Sequence, residues 1–154
     1  MCIRDRHNGL IAADGAKYVL IHDGARPCIT QKIITDSIDA VKIYSACTVG
    51  VPVKDTIKIV DEDQMGVDTP DRSRLWQVQT PQSFNRELLL TCYDGLAHDK
   101  CQVITDDTMI VERYSSVRTK VIMGAYENLK ITTPEDLKIA SNFLKKDVDT
   151  KMVK

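Results

Sequence analysis

The sequence has no cysteine pairing pattern. Its five cysteines, Cys2, Cys28, Cys47, Cys92 and Cys101, are odd in number and scattered, without a CxxC pair. That argues against a zinc site and against a disulfide framework, and in favour of a reducing cytoplasm. No apolar run approaches the roughly 20 residues that span a bilayer, and residues 1–6 are short and polar, without the apolar core of a secretory signal. Aromatics make up only 5% of the chain, and Trp76 and Tyr126 form no stacking platform for bases. Neither sign of charge prevails: 21 basic residues face 22 acidic ones, a net charge of -1. No global field therefore draws nucleic acid or an anionic membrane, and neither is expected as a partner. There is no GxSxG, no HExxH and no Ser/His/Asp constellation, and His7 and His98 read as surface residues. A covalent hydrolase is disfavoured.

What is present is a core. The 154 residues are 43% hydrophobic and 28% charged, enough for one globular domain or a large piece of one. Tyr18-Val19-Leu20-Ile21 predicts a buried strand ending in the polar loop His22-Asp23-Gly24-Ala25-Arg26-Pro27. Thr30 suits the cap of a helix that would bury Ile33, Ile34, Ile38 and Val41. Strand patterns recur at residues 47–53, 56–60, 75–78 and 120–123, with Thr80-Pro81-Gln82 expected to end the third. A further short strand at 128–131 is a weaker expectation. Helices are predicted from Arg86 to His98, from Thr105 as cap, and from Pro134 as first helical residue, the last burying Leu137, Ile139 or Ala140, and Leu144. The tail after Lys145 reads as frayed. Residues 61–74 form a polar excursion from the core. Alternating strands and helices imply an α/β layer with a mostly parallel sheet, and ligands in such sheets sit beyond the C-terminal ends of strands.

That rule singles out Asp23. It follows an apolar strand directly, and Gly24 lets the backbone turn close to a ligand. The carboxylate suits a metal-bound phosphate, a sugar hydroxyl or an amine, and Arg26 offers a planar fork for phosphate. A tight turn with a structural Asp–Arg pair fits the same residues equally well. His22 reads as structural. Thr56 suits either a phosphate contact or a plain strand edge, and Arg72 and Arg74 by themselves read as solvated. Lys130, between Leu129 and Ile131 and just before a helix start, either snorkels or meets an anion, and its position favours the anion. Thr105-Asp106-Asp107 is most simply a helix cap; a metal on the paired acids is a weak alternative.

In this order, five segments resemble the 2-C-methyl-D-erythritol 4-phosphate cytidylyltransferases of the non-mevalonate isoprenoid pathway. They are residues 22–27, Val51-Pro52-Val53-Lys54-Asp55-Thr56, Leu75-Trp76 with Gln79-Thr80-Pro81-Gln82, Thr105-Asp106-Asp107, and Asn128 to Leu137. The resemblance covers about Asn8 to Leu144. Ribitol-5-phosphate cytidylyltransferases share part of the pattern and are the nearest alternative; Trp76 and residues 51–56 favour the isoprenoid enzyme. The resemblance implies a Rossmann-like nucleotidyltransferase layer, a homodimer, CTP and a sugar-alcohol phosphate as substrates, and Mg²⁺. It assigns Arg72 and Lys130 to the acceptor phosphate, Asp23 to the substrate and metal end, and Arg26, Thr56 and Thr105 to the substrate side. Residues 56–74 correspond to the family's dimerisation arm, which would carry Arg72 to the neighbouring site. No Gly-rich phosphate loop occurs in residues 1–17, and residues 1–6 match nothing in the family, as a scar of gene assembly would. The expectation is thus a single partial domain over 1–154, N-terminally truncated, with a frayed tail at 146–154 and little or no transferase activity. A non-catalytic dimerising fragment is the alternative from another class.

Overall fold

The computed structural model describes residues 3–97 and 103–152. Cys2, His98 and Cys101, and residues 153–154 of the tail, lie outside the described residues.

The main sheet has four strands in the order β1, β5, β2, β6: β1 is Tyr18–Ile21, β2 Ala46–Pro52, β5 Trp76–Asn85 and β6 Lys120–Met123. β2 and β6 pair in parallel, and β5 runs antiparallel to both β1 and β2. Three strands therefore point one way and the long β5 opposes them. β2 is the central strand, and its residues from Ala46 to Val51 are all buried. β1 lies at the sheet edge, so its four residues are half-buried rather than buried as their apolar run suggested.

β5 does not stop at Pro81. Opposite Val49 the β2–β5 register shifts, with Thr48 facing Gln82 and Gly50 facing Val78. Residues 79–81 bulge there against a single partner residue, so the missing proline N–H removes no ladder bond.

Helix α1 is Ile3–Ala12, α2 Gln31–Tyr44, α3 Arg86–Ala97, α4 Asp107–Tyr114 and α5 Pro134–Met152. Residues 3–6, read as a foreign leader, are thus part of a helix, and α5 runs on through the stretch read as a tail. Thr30 caps α2 as expected, accepting from the Ile33 N–H. The buried stripe of α2 is Ile33, Ser37, Ala40 and Val41, so Ile38 stays exposed. Ser37 is tolerated inside because its hydroxyl donates to the Ile33 carbonyl. Asp106, not Thr105, caps α4, accepting from the Met109 N–H at 2.9 Å. Of the apolar residues expected inside α5, only Ala140 is buried, while Leu137, Ile139 and Leu144 are exposed. Residues 128–131 form a loop, not a strand.

The core lies between the sheet and helices α3 and α4. Phe84, Leu89, Cys92, Ile110 and Val111 are fully buried there, joined by Leu10 of α1. Each large apolar side chain so buried contributes roughly 1.5–3 kcal/mol of transfer free energy. His7 stacks on Tyr93 with ring centroids 5.2 Å apart, so it is half-buried and not a surface residue. The polar excursion forms a separate two-stranded hairpin, β3 (Ile59–Val60) with β4 (Gly66–Asp68). Its Ile59, Val60, Met65 and Val67 are all exposed.

Candidate active site

Because β1 and β6 point the same way, the loops that follow them open at the same end of the sheet. The loop after β1 carries Asp23 and Arg26; the loop after β6 carries Asn128 and Lys130. Lys130 Nζ lies 3.1 Å from Asp23 Oδ2, and Arg26 Nε lies 3.6 Å from the same oxygen. Two backbone links dock the loops. The Arg26 Nη1 donates to the Asn128 carbonyl at 2.8 Å, and the Ile131 N–H donates to the Ala25 carbonyl at 2.8 Å.

The first loop is also latched to β5. Thr80 Oγ1 accepts from the Asp23 N–H at 3.0 Å and lies 2.9 Å from His22 Nδ1. His22 Nε2 lies 3.1 Å from the Arg26 carbonyl. Since that carbonyl only accepts, the bonding order puts the ring proton on Nε2 and lets the Thr80 hydroxyl donate to Nδ1. His22 is a satisfied structural histidine.

Asp23, Arg26 and Lys130 line a cleft of about 330 Å³ together with Thr105, Thr80, Gln82 and Asp106. An adjoining hollow of about 320 Å³ shares Arg26 and Lys130 and is closed by Tyr126, Thr132 and Asp136. Asp23 and Arg26 are largely covered, with side chains 14% and 12% exposed, whereas Lys130 is 44% exposed and meets solvent. Burial alone pushes the Asp23 carboxyl up, but the Lys130 ammonium, aided by Arg26, outweighs it and holds the group below its ordinary value. Burial presses the Arg26 guanidinium down, and Asp23 opposes that. Two cations thus surround one ionised carboxylate, which leaves the cluster cationic toward the cleft. Arg26 Nε is buried and makes no hydrogen bond of ordinary length; the Asp23 carboxylate, 3.6 Å away, is its charged neighbour.

The other acids of the cleft are already engaged. Asp106 caps α4 and accepts from Gln82 Nε2 at 2.8 Å and the Thr108 hydroxyl at 2.9 Å. Asp107 is buried and accepts from the Tyr93 hydroxyl, and Arg6 pairs with it at 3.0 Å. Its burial pushes the carboxyl up against the pull of those partners. Among the described residues, no group of three or more His, Cys, Asp or Glu side chains could hold a metal. Of the acids suggested for a metal, Asp106 and Asp107 are engaged as above, and Asp23 is bracketed by two cations. This donor set suits an anion beside Lys130 and by itself gathers no group of free carboxylates for a divalent ion.

The structure therefore brings Asp23, Arg26, Lys130 and Thr105 to one cleft. It does not bring Arg72 or Thr56 there within one chain. Arg72 stands on a 3-10 turn, Arg72–Arg74, at the base of the hairpin, where its Nη1 donates to the Lys54 carbonyl at 2.6 Å. Thr56 is exposed nearby. Lys54 in turn lies over the Tyr126 ring, 3.5 Å from its centroid. Three positions drew no role from the sequence: Thr80, Gln82 and Asn128. Gln82 Oε1 accepts from the Asp107 and Thr108 N–H groups, at 3.0 and 3.3 Å, and so docks the N-terminus of α4 on β5. For Gln82 a signal was present: a polar side chain inside a strand that packs in the core is tolerated there only when bonded.

Comparison with known proteins shows the family. The family model described as 2-C-methyl-D-erythritol 4-phosphate cytidylyltransferase matches residues 5–146. A curated relative of that name from Lachnospira eligens is 50% identical over 129 residues, 83% of this chain and 57% of its own length. Another, from Caldanaerobacter subterraneus subsp. tengcongensis, is 48% identical over 141 residues, 91% of this chain and 61% of its own length. The crystal structure of 4-diphosphocytidyl-2C-methyl-D-erythritol synthase from Anaerococcus prevotii superposes with a TM-score of 0.84 at 34% identity, covering 91% of this chain and 64% of that one. The Thermus thermophilus cytidylyltransferase gives 0.78 at 27% identity, covering 88% and 65%. The chain thus spans less than two thirds of the length of these relatives. With the motifs, the fold and a match over nearly all of its length in agreement, the chain belongs to the 2-C-methyl-D-erythritol 4-phosphate cytidylyltransferase family.

Proposed function

We propose that this chain forms the acceptor side of a cytidylyl-transfer site. Lys130 and Arg26, set around Asp23, hold the phosphate of 2-C-methyl-D-erythritol 4-phosphate while one of its oxygens attacks the α-phosphorus of CTP. The new bond joins that oxygen to the α-phosphorus. The bond from the α-phosphorus to the oxygen bridging to the β-phosphate breaks, and its electron pair leaves with pyrophosphate. The attacking oxygen is already anionic near neutral pH, so no side chain has to take a proton from it. The need is for in-line positioning and charge neutralisation. Two cations on docked loops meet that need, and the lack of any general-base constellation in the sequence is consistent with it. Asp23 orients Lys130, and it and Thr105 suit the hydroxyls of the polyol. The divalent cation that accompanies nucleotides is assigned no step on these residues, because the acids of the cleft are already engaged by their own partners.

Arg72 enters this reading from a second copy of the chain. The β3–β4 hairpin, with its exposed Ile59, Val60, Met65 and Val67, is the arm of a homodimer, and Arg72 at its base completes the neighbour's phosphate pocket. No helix among the described residues is long and apolar enough to cross a membrane, in keeping with a cytoplasmic reaction on small molecules.

The observation that carries this reading is the convergence of Lys130 and Arg26 on Asp23 at the open end of the sheet. Calorimetric titration of the chain with 2-C-methyl-D-erythritol 4-phosphate, with ribitol 5-phosphate in parallel, tests it. Saturable binding of the first that weakens at least about tenfold in Lys130→Ala supports it, since a charged hydrogen-bond partner contributes about that much. Equal binding by wild type and variant, or a preference for ribitol 5-phosphate, overturns it.

A further inference from the structure

Asn128 is fully buried, yet it carries no charge and lies beside the site rather than in it. Its side-chain amide donates twice to β5, to the Thr80 carbonyl at 2.9 Å and to Gln79 Oε1 at 3.3 Å. Gln79 is itself fixed, because its Nε2 donates to the Ala125 carbonyl at 2.8 Å and so turns its oxygen toward Asn128. Both partners of Asn128 are therefore acceptors, and the residue must supply two protons. Aspartate has the same shape but would set a carboxylate against two oxygens. Leucine would leave both acceptors bare.

The main chain of Asn128 meets the site's cations. Its carbonyl takes the Arg26 guanidinium at 2.8 Å. Two residues on, Lys130 reaches Asp23, and the next N–H, of Ile131, bonds the Ala25 carbonyl. A guanidinium-to-carbonyl bond in a covered setting is a strong one and fixes the direction of the Arg26 fork.

We propose that Asn128 is the positioning residue of the acceptor-phosphate pocket: its buried amide pins the loop to β5, so that its carbonyl aims Arg26 and its neighbour Lys130 meets the same ligand. This rests on the reading of the pocket as an anion site. It predicts that the side chain is needed for the relative placement of the two cations and not for the stability of the core.

The test uses Asn128→Asp, with Asn128→Ser as the gentler second variant. Amide hydrogen exchange at Ile131 is compared with that at Leu89 and Ile110 in the core, and 2-C-methyl-D-erythritol 4-phosphate is titrated by calorimetry. The expected result is exchange at Ile131 faster by about tenfold or more, unchanged exchange at Leu89 and Ile110, and affinity for the sugar phosphate lower by about tenfold. Unaltered Ile131 exchange and affinity in both variants overturns the proposal. So does a parallel loss of protection at Ile131 and Leu89, which would mean that Asn128 serves the fold in general. If the wild-type chain binds no sugar phosphate, the reading of the pocket fails, while Ile131 exchange still decides the part played by Asn128.

Discussion

Lys130 Nζ stands 3.1 Å from Asp23 Oδ2, joining the loop after β6 to the loop after β1 across the open end of the sheet. The pair is lopsided in exposure: the carboxylate is nearly covered, and the ammonium is reachable from solvent. An incoming phosphate can therefore meet Lys130 without first displacing Asp23.

This asymmetry separates binding from stability. Lys130→Ala is expected to cost less than about 1 kcal/mol in urea unfolding, as a half-exposed ion pair should, while sugar-phosphate affinity drops at least about tenfold. Asp23→Asn is expected to weaken binding as well, by releasing Lys130 from its position. Denaturation midpoints and calorimetry on the same samples check both.

Gly124 lies against the network that supports the site. A Cβ there would come 2.5 Å from Gln79 Oε1 and 2.6 Å from Val49 Cγ1, so neither neighbour could stay in place. Gly124→Ala is expected to destabilise the chain by about 1–3 kcal/mol, the usual range for overpacking, and to weaken phosphate binding by displacing Gln79. Urea unfolding and titration measure the two effects.

Gln82 holds α4 to β5 through three hydrogen bonds. Gln82→Leu leaves Asp106 short of one donor and two helix N–H groups bare. The expected loss is about 1–3 kcal/mol for stranded buried groups, read by urea unfolding. Gln82→Glu keeps the acceptor for the N–H groups but faces Asp106 with a second carboxylate, so its loss is expected to grow with pH as the new acid ionises.

The start of α5 gives a pH signature. Asp136 accepts from the N–H groups of Thr132 and Thr133, which hold its carboxyl down to about 2. Thr133 Oγ1 accepts in return from the Asp136 N–H at 3.4 Å, completing a capping box. Its folded value lies below its unfolded one, so its stabilising effect is full above about pH 3.8, the unfolded value, and is lost as pH falls through about 2. NMR titration of the Asp136 carboxyl should show this low midpoint, and Thr132→Pro, which removes both the N–H and the hydroxyl that this residue donates, should raise it.

How much of this was legible in the sequence depended on whether each residue's role was set locally. Asp23, Arg26 and Lys130 stood out because a charged residue next to an apolar strand or an apolar pair is informative without tertiary knowledge. Thr30 as a helix cap and Pro134 as a helix start were equally local. Asn128, Gln82 and Thr80 carry no signal of a part in the site, since what makes each important there is a partner on another strand or loop. The continuation of β5 past Pro81 was hidden because only the bulge opposite Val49 makes a missing N–H harmless there. The buried stripe of α2 was misjudged at Ile38 because Ser37 satisfies its own hydroxyl and takes the inner position.

Arg72 gives the most demanding check of the proposed two-subunit arrangement. Arg72→Ala and Lys130→Ala chains, each weak in sugar-phosphate binding alone, should recover part of the binding sites when mixed. Hybrid dimers would then hold one pocket with both cations intact. No recovery on mixing, in samples shown to have exchanged subunits, would remove Arg72 from the pocket.

The account turns on whether one anion touches both loop cations at once. A ³¹P NMR titration of 2-C-methyl-D-erythritol 4-phosphate, with the Arg26 and Lys130 side-chain nitrogens labelled, tests this most directly. The predicted result is a saturating phosphorus shift accompanied by shifts of both nitrogen sets at the same ligand concentration. A phosphorus signal that stays at its free position, or that moves while Arg26 and Lys130 do not, would contradict it.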